Sequence, residues 1–264
     1  MSVPDSYHLR ATGSRAISLD IPVPKRALAI AAHPDDVEFG CGATLAKWAA
    51  QGCEIFHLVL TDGSKGTWDH AVDPAELVVT RQREQRAAAR TLGGTSDSNV
   101  VFLGWIDGEL DSGLRQRWEV CHWIRTFMPD VVLGHDPWRR YRIHPDHRHA
   151  GLLACEGIVA ARDPKFFPEQ HAAPHRPSAL LLWEADEVNH VETCDQTAVD
   201  LKVTALLQHE SQYETTMRIA ADPKVSSDND ALNEFRATVF EEARNAGRLA
   251  NRETGEAFAL LTSL

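Results

Sequence analysis

Short apolar runs recur along the chain, and between them the apolar residues switch to helical spacing. Ala27-Leu28-Ala29-Ile30-Ala31, Glu54-Ile55-Phe56-His57-Leu58-Val59-Leu60, Asn99-Val100-Val101-Phe102-Leu103, Asp130-Val131-Val132-Leu133-Gly134 and Ala179-Leu180-Leu181-Leu182-Trp183 are of strand length and mostly apolar on both alternating faces. A strand apolar on both faces is buried on both, as in a parallel sheet covered by helices. The pattern predicts strands over about 26–32, 54–60, 99–103, 130–134 and 179–183, a short sixth over 190–194 that suits an edge, and a closing run over 257–261. Helices are predicted from the turn after the first strand to about 51, then over 74–92, 112–128, 145–162, 197–209 and 231–247. Pro74 opens the second of these, Gly93-Gly94 lies past its end, and Pro129 stops the third. Strands alternating with helices of this length give an α/β fold, a mainly parallel sheet with helices on both faces.

Pro22 and Pro24 oppose regular structure before the first strand, so residues 1–24 read as an irregular arm and 25–264 as one domain. Residues 163–177 and 221–230 read as polar surface loops, the second a mobile one, and such loops are where substrate specificity would sit.

Composition narrows the function. The chain has 264 residues, of which 43% are apolar, enough for a sizeable core. No window holds the roughly 18 uninterrupted apolar residues of a membrane span, and residues 1–24 lack the apolar stretch of a secretory signal. A cytoplasmic protein without a membrane span is expected. A formal net charge of −11 argues against nucleic acid as partner. Five cysteines, an odd number without a Cys-x-x-Cys pair, read as free thiols, with Cys41 a small buried residue.

The candidate chemistry sits where the first strand ends. His33-Pro34-Asp35-Asp36 occupies the turn leaving the carboxyl end of that strand, the end at which open α/β sheets bind ligands. A hydrolytic zinc site keeps three protein ligands and leaves a position for water. His33 and Asp36, three apart, can be aimed by a turn at one ion; a third ligand must come from elsewhere. In His144-Pro145-Asp146-His147 the two histidines stand at i and i+3 on one helix face, so one can ligate while the other stays free. Asp35 can then take a proton from the attacking water. A protonated His144, with Asp146 as its orienter, can stabilise the oxyanion and protonate the leaving amine. Taken singly, each residue has a plainer use: Asp35 and Asp36 as helix caps, the histidines as surface or packing residues, Arg81 and Asp107 as ion-pair or turn residues. His135-Asp136, also at a strand exit, suits a turn or a supporting place beside the site. His57, His122 and His149 read as structural. A nucleotide-binding reading fails on Gly40-Cys41-Gly42-Ala43-Thr44-Leu45, which lacks the third glycine and follows an acidic pair that would repel a pyrophosphate.

These residues together resemble the PIG-L (LmbE-like) zinc deacetylase family. His33-Pro34-Asp35-Asp36 with Glu38-Phe39-Gly40 and Gly42, then His144-Pro145-Asp146-His147, carry the likeness. Thr61-Asp62-Gly63 with Gly66-Thr67, Arg81 with Glu84 and Leu92-Gly93, Asp107-Gly108, and Lys202 with Ala205, His209 and Ser211-Gln212 extend it over about 27–215. Gly255-Glu256-Ala257-Phe258 resembles a C-terminal segment of the family. The resemblance implies a Rossmann-like fold and hydrolysis of an N-acyl group, usually the acetyl of an N-acetylglucosamine moiety. It implies one Zn²⁺ per chain on His33, Asp36 and His147; the donor set also suits Fe²⁺, Co²⁺ or Mn²⁺. It further implies Asp35 as general base, His144 with Asp146 beside it at the oxyanion, and Arg81 and Asp107 against sugar hydroxyls of a small-molecule amino-sugar substrate. Asp136-Pro137-Trp138 and Thr67-Trp68-Asp69 look most like the branch of diacetylchitobiose deacetylases. That branch is oligomeric, which implies a homo-oligomer, and in it a neighbouring subunit's histidine can enter the site; no histidine follows His209 here. Within the same chemistry, a larger thiol conjugate or glycosylated natural product is the alternative substrate. A degenerate sugar-binding module is the non-hydrolase alternative, disfavoured because every expected site residue is present.

Overall fold

The computed structural model describes residues 10–11, 16–219 and 229–264. Its strands are β1 (Arg10–Ala11), β2 (Ser18–Leu19), β3 (Arg26–Ala31), β4 (Glu54–Thr61), β5 (Val100–Trp105), β6 (Val131–His135), β7 (Ala179–Trp183), β8 (Glu187–Val188), β9 (His190–Thr193) and β10 (Gly255–Leu261). The helices are α1 (Asp36–Ala50), α2 (Pro74–Thr91), α3 (Leu114–Phe127), α4 (Pro145–Arg162), α5 (Gln196–Leu206) and α6 (Asn229–Arg248). The sheet runs in the order β2-β9-β10-β7-β6-β3-β4-β5, parallel from β7 to β5, with β10 antiparallel to both its neighbours.

The period-2 rule places the core on both sheet faces. Ala27, Ala29 and Ala31 join a cluster with Leu45 and Trp48 of α1 and Val199 and Val203 of α5. Leu28 and Ile30 join the opposite cluster with Val120 and Ile124 of α3 and Leu153 and Ile158 of α4. The fully buried alanines of β3 let α1 lie close against the sheet, which brings the turn before α1 inward.

The strand order fixes where a site can form. From β3 the chain winds outward through β4 and β5, then returns to place β6 on the other side of β3. Adjacent parallel strands whose connections leave in opposite directions open a crevice at their carboxyl ends. Here that crevice lies between the turn 32–35 after β3 and the connection 136–144 after β6.

Three details differ from the sequence reading. Arg10–Ala11 and Ser18–Leu19, inside the stretch read as an irregular arm, pair with β8 and β9; two-residue strands are too short to leave a periodic signature. β9 is capped by β2 and so lies one place in from the sheet's end. The loop 163–177 joins the end of α4 to the start of β7, and an 18-residue helix carries it about 27 Å from the crevice. Within one chain that length of helix separates it from the crevice. The stretch 221–230, read as a second such loop, lies outside the described residues up to 228.

Candidate active site

The turn after β3 delivers two adjacent aspartates in different directions. Asp35 has φ 95° and ψ −26°, on the left-handed side of the map, and α1 starts at the next residue. A non-glycine residue there is held by its surroundings. Gln85 of α2 supplies one hold, its Oε1 accepting from the Asp35 N–H at 2.8 Å. α1 is bent at Cys41, and beyond the bend the free N–H groups of Ala43 and Thr44 donate to the Glu256 carboxylate, itself paired with Lys202 at 2.7 Å.

α4 supplies the second half. His144 is its N-cap and Pro145 its first residue, so the helix begins at the crevice and projects His147 into it. His33 Nδ1 lies 3.2 Å from His147 Nε2 and 3.4 Å from Asp36 Oδ2, and His147 Nε2 lies 3.3 Å from Asp36 Oδ1. A tetrahedral ion with bonds of about 2.0–2.1 Å has ligand atoms about 3.3–3.4 Å apart. The donor set and its spacing would therefore suit one metal ion on His33, Asp36 and His147, beside the cavity that Asp35 and His144 also line.

Each of these three residues is fixed from behind. The other oxygen interactions of Asp36 come from the His33 N–H at 2.7 Å and from His135 Nε2 at 3.2 Å. Trp183 Nε1 donates to His135 Nδ1 at 3.0 Å, which leaves the His135 proton on Nε2, facing Asp36. His33 Nε2 meets Asp146 Oδ2 at 3.0 Å and Asp107 Oδ1 at 3.3 Å. A carboxylate on the far nitrogen of a ligating histidine sets its tautomer and orientation. A trio of His135, His147 and Glu184 also clusters, but Arg142 Nη1 stands among them, 2.7 Å from Glu184 and 3.2 Å from His147 Nδ1. The cation there is the protein's own.

The expected site residues all reach this crevice except in two roles. Asp146 does not orient His144. It is fully buried, Oδ2 accepting from Gly108 N–H at 2.7 Å besides meeting His33, and Oδ1 accepting from Leu110 N–H at 3.2 Å. No hydrogen bond joins it to His144 among the described residues, its oxygens being taken by His33 and the two backbone N–H groups. Arg81 reaches the cavity, but its guanidinium is spent inward: Nη1 donates to the Gly63 carbonyl at 3.0 Å, Nη2 to the Pro34 carbonyl at 2.6 Å, and Nη2 lies 3.5 Å from Asp35 Oδ2. Gly63, at φ 67°, leaves room for it, since a Cβ there would stand 2.7 Å from Nη1. Asp107 accepts from the Lys65 N–H at 3.1 Å as well as facing His33. Sequence reasoning missed Lys65, Gln212 and Thr216, which join the site residues around a cavity of about 330 Å³. Gly66-Thr67 and Ser211-Gln212 signalled those loops but not their meeting.

The electrostatics separate the two aspartates. Burial pushes the Asp35 carboxyl up to about 6, with the Asp36 charge adding and Arg81 opposing. Burial also acts on Asp36, but His147 and His135 overcome it and hold that carboxyl well below the usual range. Burial disfavours charge on His33, yet Asp107, Asp146 and Asp36 raise it well above an ordinary imidazole. Partial burial, with His33 and His147 close by, lowers His144 and makes its imidazolium a stronger acid.

A histidine–aspartate pocket at the switch point of a parallel sheet, with a further carboxylate and a further histidine beside it, suits metal-assisted hydrolysis. The PIG-L family model, described as GlcNAc-PI de-N-acetylase, matches residues 28–157. The diacetylchitobiose deacetylase of Thermococcus kodakarensis is 36% identical over 193 residues, 72% of this chain and 70% of that protein. A 1D-myo-inositol 2-acetamido-2-deoxy-alpha-D-glucopyranoside deacetylase of Streptomyces avermitilis is 30% identical over 178 residues, 57% of this chain and 58% of that one. The solved N,N'-diacetylchitobiose deacetylase of Pyrococcus horikoshii superposes with a TM-score of 0.78 at 28% identity, covering 90% of this chain and 84% of that one. The chain belongs to the PIG-L family and is an N-deacetylase. Among the described residues, no helix is long and apolar enough to cross a membrane.

Proposed function

We propose that this chain removes the acetyl group from an N-acetylglucosamine-type amide, using one Zn²⁺ held by His33, Asp36 and His147. The observation that carries the reading is the convergence of those three donor groups beside Asp35 in a cavity of about 330 Å³, within the size range of small-molecule sites. The ion, when bound, supplies Lewis acidity that brings water toward attack at neutral pH and polarises the acyl oxygen. Asp35, raised to about 6, takes the proton of the attacking water. His144 stands over His33 with ring centroids 4.6 Å apart, where it can donate to the oxyanion and then to the departing amine. Asp146 holds His33 in the tautomer that presents Nδ1, and Arg81 holds the loops around Asp35. Asp107 and Lys65 line the wall and offer an acceptor and a donor to sugar hydroxyls. The similarity to diacetylchitobiose and inositol-conjugate deacetylases supports an amino-sugar substrate; a homo-oligomer in the cytoplasm is part of the same proposal.

The test is metal analysis together with amine release from N-acetylglucosamine, diacetylchitobiose and an N-acetylglucosaminyl-inositol, for the native chain and Asp35→Asn. Bound zinc and release from at least one sugar are expected, with a loss of about 10²–10⁴-fold in the variant. Absence of metal and of release across the panel refutes the reading.

A further inference from the structure

Behind the turn that carries Asp35 lies a buried polar group with no part in the chemistry above. Glu38 of α1, His57 of β4, Gln85 of α2 and His209 are all without solvent exposure. The Gln85 amide sits at their centre. Its Nε2 donates to Glu38 Oε1 at 2.8 Å and faces His57 Nδ1 at 3.2 Å, while its Oε1 accepts from the Asp35 N–H at 2.8 Å. Burial lowers the pKa of His57, favouring the neutral ring, and the tautomer with its proton on Nε2 accepts the second amide proton at Nδ1. Both protons and the oxygen of the amide are thus engaged. Flipping it would set its oxygen against the Glu38 carboxylate and its NH2 against the Asp35 N–H; His209 Nε2 lies 3.3 Å from Glu38 Oε2, without a hydrogen bond between them. The orientation of the amide is therefore dictated by Glu38, an acceptor, and the Asp35 N–H, a donor, at its two ends.

Asp35 needs such a hold. At φ 95° it lies in the left-handed region, uncommon for any residue but glycine, and it precedes the first turn of α1. We propose that Gln85 is a positioning residue for the base: its amide pins the Asp35 peptide in the left-handed conformation that turns one carboxylate into the cavity while Asp36 faces the histidines. This rests on the reading of Asp35 as general base.

The experiment is a double-mutant cycle on the metal-loaded enzyme, with amine release from diacetylchitobiose as readout. Gln85→Met keeps the volume and removes the hydrogen bonds. The expected result is a fall in kcat of about 10–100-fold, the cost of a small misplacement of a reacting group, with KM and bound metal unchanged within about 3-fold. In the Asp35→Asn background the same substitution adds less than about 3-fold, because the group it positions is already disabled. Gln85→Asn retains a buried amide but is one methylene too short to span Glu38 and Asp35, and it gives the same pattern. Full kcat in either variant, or equal losses with and without Asp35, overturns the proposal while leaving the base in place. A fully active Asp35→Asn removes the base, and the proposal with it.

Discussion

Replacing Asp35 with asparagine separates what the residue does for catalysis from what it costs the fold. The carboxyl titrates near 6 in the folded protein against an ordinary 3.8, so its ionised form is disfavoured by burial and by Asp36. About two pKa units correspond to about 3 kcal/mol at pH 7, an upper figure because Arg81 loses a partner when the charge goes. The sign follows from the direction of the shift. A carboxyl raised on folding destabilises the fold above its folded pKa, and the penalty fades as pH falls through 6 toward 4, where both states are protonated. Metal-stripped Asp35→Asn is therefore more stable than metal-stripped native protein at pH 7, by about 1–3 kcal/mol, while its metal-loaded kcat falls about 10²–10⁴-fold. For a chain of this size each kcal/mol moves Tm by roughly 2–4 °C. Thermal melts at pH 7, 6, 5 and 4 read the difference directly. A lower Tm for the variant at pH 7, or a gap that does not narrow between pH 6 and 4, refutes the assignment of Asp35 as a buried, strained carboxylate.

Other consequences concern residues around it. Asp146→Asn weakens the support of His33 and should reduce metal affinity about 10–100-fold, measured by competition with a chelator, with kcat recovered at saturating metal. Gly40→Ala places a methyl group 2.5 Å from the Trp183 indole and should cost about 1–3 kcal/mol in denaturant unfolding; an unchanged midpoint would show that the tryptophan is free to move. Burial pushes the Cys53 and Cys155 thiols up to about 12, so both should resist an aromatic disulfide reagent at pH 8 until the chain is unfolded, when all five cysteines react.

The parallel sheet and the two halves of the site were legible because both rest on strong local signals. β3 is apolar on both faces, and His33-Pro34-Asp35-Asp36 follows at its end without an intervening residue beyond Ala32. The direction in which each side chain leaves its element was less legible. Asp146 was read as a partner of His144 from adjacency, although the helix beginning between them turns it toward His33 and the backbone of Gly108. His57 reads alone as a structural strand residue, and nothing local ties it to Gln85, which arrives from α2, or to Glu38 from α1. Such a contact depends on three elements packing at once. The strand order that would have placed His135 behind Asp36 depends in turn on which side of β3 the chain returns to, and that choice is made by helix packing on the two faces.

The two neighbouring carboxylates have opposite fates because the turn gives them opposite surroundings. Asp36 receives the His33 N–H and the His135 imidazole on Oδ2, and His147 faces Oδ1, so its charge is compensated before any ion arrives. Asp35 is equally buried but has one guanidinium nitrogen at 3.5 Å and a neighbour of like charge. A proton added to the pair therefore goes to Asp35, which is what a base operating near neutrality requires, while the ligand stays ionised. Had both residues continued the helix, their carboxylates would have shared one environment in part. The φ of 95° at Asp35 prevents this, and the buried amide of Gln85 is the contact that meets that peptide. On this account the backbone conformation of one residue assigns the roles of two.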